Sequence, residues 1–235
     1  MLNIHQKFCR ETFYDGKLVG FEPVYGENFN FAYDVVDAIA QAEPLRRAML
    51  WCNESGEEHT FTFADISKAS NRAANFFASL GIGKGDRVLL ILKRHYQFWF
   101  ALLGLHKLGA VGIPATNQLT KKDISYRCNA AGVKAVICTT DGDVTEHVES
   151  AMGDCPTVEL KISVHGKYQN WVDFDTEFVK FSDTMKRVET RAEDPMLIYF
   201  TSGTTGMPKM VCHDFTYPIA HIVTAKYWQN VVPDG

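Results

Sequence analysis

Apolar positions in the middle of this chain switch repeatedly between two periods. Arg47 to Trp51 is a strand candidate, and the turn Glu54-Ser55-Gly56-Glu57 leads from it into the alternating His59 to Phe63, which predicts a hairpin. From Thr62 the spacing becomes helical. Thr62-Phe63-Ala64-Asp65 has the reciprocal capping pattern, Ile66, Ala69, Ala73, Phe76, Phe77 and Leu80 line one face, and Gly81 stands where a helix closes. Gly83 to Arg87 then lead into a strand at Val88–Leu92, a helix over Tyr96–Leu108 ending at Gly109, and a strand Ala110–Pro114 that its proline stops. The capping pattern recurs at Thr120–Asp123, opening a helix that Gly132 closes, followed by a strand at Lys134–Cys138 and a helix at Asp143–Met152. Strands alternating with helices of this length predict an α/β fold: mostly parallel sheets with helices on both faces.

The ends read less regularly. Residues 1–30 are rich in aromatics without a clear period and suggest an extended segment lying on a larger body. Asn30–Ala42 is helical, with Ala32, Val35, Val36 and Ile39 on one side. After Ile162 the pattern loosens. Asn170–Phe181 is expected to be a surface helix and Ser182–Pro195 a charged linker. Met196–Phe200 is strand-like, a polar loop and a second apolar run follow, and a helix from Phe215 to Gln229 is entered through Tyr217-Pro218. The expected organisation is an α/β portion over 1–190 and the start of a further sub-domain over 191–235.

Composition narrows the function classes. At 235 residues, 46% hydrophobic and 22% charged, the chain is in the ordinary globular range. A net charge of −4 gives no support to general binding of nucleic acid or of an anionic membrane surface. The polar first residues are not those of a signal peptide, and the apolar stretch Phe98–Leu105 is too short to span a bilayer. A cytoplasmic location is the expectation. The six cysteines form no Cys-x-x-Cys pair and the eight histidines show no ligand spacing, so neither a disulfide nor a metal site is expected.

The chemistry concentrates in the string Met196-Leu-Ile-Tyr-Phe-Thr-Ser-Gly-Thr-Thr-Gly-Met-Pro-Lys-Met-Val-Cys212. Gly203 and Gly206 allow tight turns and close approach of backbone amides to a ligand. Thr201, Ser202, Thr204 and Thr205 add hydroxyls, and Lys209 adds a mobile cation. Strung between two strand-like runs, these parts make a phosphate cradle. A Walker loop is excluded because no Ser or Thr follows Lys209, and a dinucleotide fingerprint because no Gly-x-Gly-x-x-Gly opens a helix. A Ser/Thr/Gly cluster alone is usually only a polar loop. Here, however, Tyr199-Phe-Thr-Ser-Gly-Thr-Thr-Gly-x-Pro-Lys209 agrees position by position with the phosphate loop of the adenylate-forming (AMP-binding) enzymes, and the chain is identified as resembling that family.

The resemblance extends over nearly the whole chain. It includes Thr62-Phe-x-Asp-Ile-Ser67 with Leu80-Gly-Ile-Gly-Lys-Gly-Asp-Arg-Val88, and Trp99 to Thr116. Pro114 to Arg127, Pro208-Lys-Met-Val-x-His213 and Thr224 to Trp228 favour the acetyl- and medium-chain acyl-CoA synthetase branch. This implies the first part of the large N-terminal domain of an adenylate-forming enzyme. It also implies a reaction in two halves: ATP and a carboxylate give an acyl-adenylate and pyrophosphate, and CoA then displaces AMP. ATP with Mg2+, a short- to medium-chain acid and CoA are the implied small-molecule partners. Thr201, Ser202, Gly203, Thr204, Thr205, Gly206, Met207, Pro208 and Lys209 are the implied ATP binders. Gln118 would lie near CoA, or else be a polar loop residue satisfying local backbone. No catalytic residue is assigned. His213 needs no general-base role, because a carboxylate is already ionised near neutral pH; it reads as a structural or pocket-wall residue. Lys93-Arg94-His95 reads as a steering patch for anionic CoA or as a solvated turn.

Two other readings stay open: an adenylation domain loading a carrier protein, and a non-catalytic nucleotide-binding relative. The family's magnesium-holding glutamate, ribose-binding aspartate and C-terminal lysine all belong to segments later than Gly235. The expectation is therefore an N-terminal fragment that does not turn over alone and that self-associates through uncovered apolar surface.

Overall fold

Both sides of the strand at 87–91 are apolar and buried. Val88 and Leu90 join one core cluster, Leu89 and Ile91 another. Such a strand has to be covered on both faces, and this one lies at the centre of a layered sheet. The computed structural model describes residues 3–202 and 206–232. Its strands are β1 (Cys9–Tyr14), β2 (Lys17–Pro23), β3 (Arg47–Cys52), β4 (Glu58–Thr62), β5 (Arg87–Ile91), β6 (Val111–Pro114), β7 (Ala135–Thr139), β8 (Leu160–Val164), β9 (Val172–Asp173), β10 (Pro195–Thr201) and β11 (Lys209–Asp214). Its α-helices are α1 (Ala38–Ala42), α2 (Phe63–Ser79), α3 (Gln97–Leu108), α4 (Lys121–Ala131), α5 (Val144–Ala151), α6 (Phe174–Glu177) and α7 (Tyr217–Tyr227).

Among the described residues seven strands form one sheet in the order β11-β10-β6-β5-β7-β8-β9. All neighbours in it are parallel except β10 and β11, which form an antiparallel hairpin. The α/β class with helices on both faces is therefore what the chain adopts. Residues of α2 and α3 share a core with Val88, Leu90, Ala135 and Ile162, and residues of α4 and α5 share the opposite core with Leu89, Ile91, Val136 and Cys138. The hairpin at 195–214 continues this same sheet, its β10 lying beside β6 with Leu197 opposite Gly112.

Both capping patterns form as expected. Thr62 Oγ1 accepts from the Asp65 amide while Asp65 accepts from the Thr62 amide, and Thr120 and Asp123 repeat the exchange. Gly109 and Gly132 close α3 and α4 in the left-handed conformation.

Two expectations are corrected, and one strand was not anticipated. The first thirty residues are not simply extended: β1 and β2 form a hairpin around Asp15-Gly16, both with positive φ. Leu160–Val164 is a buried parallel strand of the main sheet. Asn170–Phe181 is not a surface helix. It is the short strand β9, the one-turn helix α6 and a 3₁₀ turn, with Trp171, Phe174 and Phe178 all buried. The charged stretch has no regular element over 182–194, yet it is tied down. Arg187 makes a two-pronged contact with Asp34 at 2.6 and 2.8 Å, and Thr190 and Ala192 are buried.

Candidate functional site

Every parallel strand of the sheet ends at one edge, and the glycine-rich loop leaves β10 there. β10 and β11 are in register with Thr201 opposite Lys209, so the two residues close the loop like the last rung of a ladder. The Thr201 hydroxyl donates to the Lys209 carbonyl at 3.4 Å. Thr201, Ser202, Gly206, Met207 and Lys209 are exposed and Pro208 is half-buried, so the described part of the loop faces solvent. Gly206 has φ of +110°, which a side chain would not tolerate without strain. Gly203, Thr204 and Thr205, the centre of the expected cradle, lie outside the described residues.

The loop is braced from α4. Tyr126 donates from its hydroxyl to the Pro208 carbonyl at 2.8 Å. The Tyr126 ring also meets Phe200 edge-on, and the Arg127 guanidinium lies 5.3 Å from the centre of the Phe200 ring. Arg127 is in turn held by the Asp123 carbonyl at 3.1 Å. The same Asp123 closes the helix cap, and the Thr120 hydrogen bonds hold its carboxyl below the usual range. One short sequence thus starts a helix and aims two side chains at the root of the phosphate loop. Tyr126 and Arg127 stand in the resemblance string without a role, and only the fold supplies one. No local pattern could have joined positions so far apart in the chain.

Gln118 lies in the turn between β6 and α4. Because β6 is the parallel neighbour of β10, this turn and the phosphate loop share one edge of the sheet. Gln118 is exposed, and its amide N–H donates to the Thr116 hydroxyl at 3.3 Å. Gln118 therefore lies on the same edge of the sheet as the loop, outside the loop itself.

A second feature lies on the α3 side of the sheet. A cavity of about 560 Å³ is lined by Trp99, Leu102, Leu103, Met196 and Tyr217 among others, and its wall is almost entirely apolar. Two histidines, His106 and His221, also line it, and His106 differs from the rest of the wall. It is wholly buried, neither ring nitrogen has a hydrogen-bond partner among the described residues, and burial pushes it down to about 3. His213 does not act alone. Its ring is stacked 3.9 Å from Tyr217 and meets Tyr199 at 5.7 Å, so it sits in an aromatic wall next to the cavity.

Among the described residues, Gly206, the Thr201 and Ser202 hydroxyls and Lys209 thus stand together at the hairpin mouth, which Tyr126 braces. The sequence matches the family described as "AMP-binding enzyme" over residues 36–234. It is 39% identical over 202 residues to acyl-coenzyme A synthetase ACSM5, mitochondrial, of Rattus norvegicus, covering 83% of this chain and 34% of that protein. It is 36% identical over 213 residues to ACSM4, mitochondrial, of Homo sapiens, covering 87% and 36% respectively. The chain spans about a third of the length of these curated relatives. Among solved structures, the fold is similar to an anthranilate CoA ligase, AuaEII, in complex with anthranoyl-AMP. The TM-score is 0.73 at 22% identity, over 87% of this chain and 38% of that one.

Proposed function

Because the chain belongs to the AMP-binding enzyme family, we propose that it is part of an AMP-forming acid–thiol ligase that converts a short- to medium-chain carboxylic acid, ATP and CoA to acyl-CoA, AMP and pyrophosphate. The observation that carries the reading is the β10–β11 hairpin, with its exposed loop closed by the Thr201–Lys209 pair and braced by Tyr126. Names of relatives add weight: they are acyl-coenzyme A synthetases, and the structural relative is a CoA ligase holding an acyl-adenylate.

In the first half-reaction a carboxylate oxygen attacks the α-phosphorus of ATP and pyrophosphate leaves. The carboxylate is ionised at neutral pH, so no base is required. What the protein has to supply is position and charge balance. Thr201 to Lys209 would hold the β- and γ-phosphates, with amides at the glycine turns and the Lys209 ammonium meeting the departing charge. ATP is taken as its magnesium complex. In the second half-reaction the CoA thiolate attacks the acyl carbon and AMP leaves. Gln118, on the neighbouring strand end, would contact CoA there. The residues of this chain are read as binding elements, and the 235 residues alone are expected to hold ATP without turning it over.

The test is carboxylate-dependent pyrophosphate release by the protein that contains this chain, screened over acetate, butyrate, hexanoate, benzoate and amino acids with CoA present. Turnover on the short and medium acids is expected. A preference for amino acids, or transfer to a carrier protein in place of CoA, would favour a carrier-loading adenylation domain instead. Within the active protein Gln118→Ala should raise KM for CoA several-fold and leave KM for ATP unchanged.

A further inference from the structure

The strand order creates a point of divergence at the carboxyl edge of the sheet. β5 leads to α3 on one face, whereas its neighbour β7 leads to α5 on the other, so the two loops part in opposite directions. In open α/β sheets ligands collect at such a point of divergence. It lies about 14 Å along the edge from the phosphate loop, counting three strand spacings from β10 to β7. The loops after β5, β7 and β8 bring His95, Asp141 and His165 together there.

These side chains form a closed set. Asp141 Oδ1 is 2.8 Å from His165 Nδ1, and Asp141 Oδ2 is 3.5 Å from His95 Nε2. The two imidazole rings are 4.4 Å apart, and one ligand atom from each of the three residues lies within 4.8 Å of the others. His95 is buried, which fixes one donor, while His165 is open to solvent and leaves an entry path. The His165 backbone is itself in the left-handed region at φ +65°, held there by its amide donating to Asp175 at 2.7 Å.

We propose that His95, Asp141 and His165 form a binding site for a divalent transition cation, best matched by Zn2+. Two imidazole nitrogens and one carboxylate oxygen are a recurrent three-ligand zinc set, with the fourth position left to water. Zn–N and Zn–O bonds of about 2.0–2.1 Å put tetrahedral neighbours about 3.3 Å apart; His165 Nδ1 and His95 Nε2 lie 2.8 and 3.5 Å from the two different oxygens of Asp141, and one ligand atom from each residue lies within 4.8 Å of the others, so a small closing shift of the side chains seats the ion. The Thr139 hydroxyl, 2.8 Å from His95 Nε2, holds that nitrogen in the absence of a cation and has to give it up when one binds. Lys93 is the competitor: its ammonium is 3.3 Å from Asp141 Oδ2, on a half-exposed side chain free to swing away. Asp175 adds a further negative charge beside His165. A bound cation would staple three βα loops together.

The test is Zn2+ titration of the metal-stripped chain by calorimetry, with Co2+ absorption as a check on geometry. One saturable site per chain and visible Co2+ bands of a tetrahedral N/O environment are expected. His165→Ala, at an exposed ring, and Asp141→Asn should each weaken Zn2+ at least tenfold, with circular dichroism reporting that they fold. Lys93→Met should tighten it. No saturable Zn2+ site, or a site that survives both His165→Ala and Asp141→Asn unchanged, would overturn the assignment.

Discussion

His106 and Lys107 are adjacent, both wholly or nearly wholly inside the protein, and treated oppositely by it. Lys107 is satisfied: its ammonium donates to Asp37 at 2.8 Å and to Asn71 at 2.6 Å, joining α3 to α2 and to the helical turn before α1. Lys107→Ala would leave Asp37 with an uncompensated charge, and a loss of about 3–5 kcal/mol in a urea titration is expected. His106 has no partner among the described residues. In the unfolded chain it titrates near 6.5, while in the folded protein it is pushed down to about 3. Its folded value is depressed, so between those limits the unfolded state binds the extra proton and stability falls as pH drops. At pH 5 the loss is about 2 kcal/mol, from about 1.4 kcal/mol per pH unit. His106→Leu should abolish that share of acid sensitivity and raise stability at neutral pH by about 1 kcal/mol, measured as thermal midpoints at pH 5 and pH 7. Neither role was legible in the sequence. The pair His106-Lys107 reads as the polar end of an apolar helix, whereas the fold carries α3 inside to its last turn.

At the scale of elements the legible part was the one whose signals are local. α2 and α4 are announced by reciprocal Thr–Asp caps and Gly stops, and those hydrogen bonds form within four residues of each other. β8 was missed because Lys161 and Ser163 interrupt its apolar run. Lys161 reaches Glu149, whereas Ser163 is buried with no hydrogen-bond partner for its hydroxyl among the described residues. In 170–181, Trp171, Phe174 and Phe178 mimic one face of a helix, but they are anchors that press a short strand and two turns into the core. The first hairpin did carry its signal in Asp15-Gly16, a dipeptide suited to a tight turn with two positive φ values. Packing between elements also turns on a residue whose identity gives no hint of it. A Cβ added at Gly104 would stand 2.8 Å from Ala73 Cβ and 2.9 Å from the Ala74 amide nitrogen, in the contact between α3 and α2. Neither atom can swing aside, so Gly104→Ala should cost about 1–3 kcal/mol, read as a lower urea midpoint with unchanged slope.

For the molecule as a whole, the proposed phosphate loop stands out in the sequence because its parts are contiguous, from Thr201 to Lys209, and its place between two strands followed from the apolar run on either side. What the sequence could not supply is the support. Tyr126 and Arg127 reach the loop from a helix that starts far upstream, and Gln118 shares its edge only because β6 and β10 are neighbours. The cluster of His95, Asp141 and His165 has the same origin, three loops converging at one end of the sheet. The central claim is that the β10–β11 loop is a polyphosphate site. It is tested most directly by calorimetric titration of the 235-residue chain with MgATP and with AMP, before and after Lys209→Ala. The account predicts that MgATP binds at least tenfold more tightly than AMP and that Lys209→Ala removes the difference. Equal affinity for the two nucleotides, or MgATP binding that Lys209→Ala leaves unchanged, would contradict it.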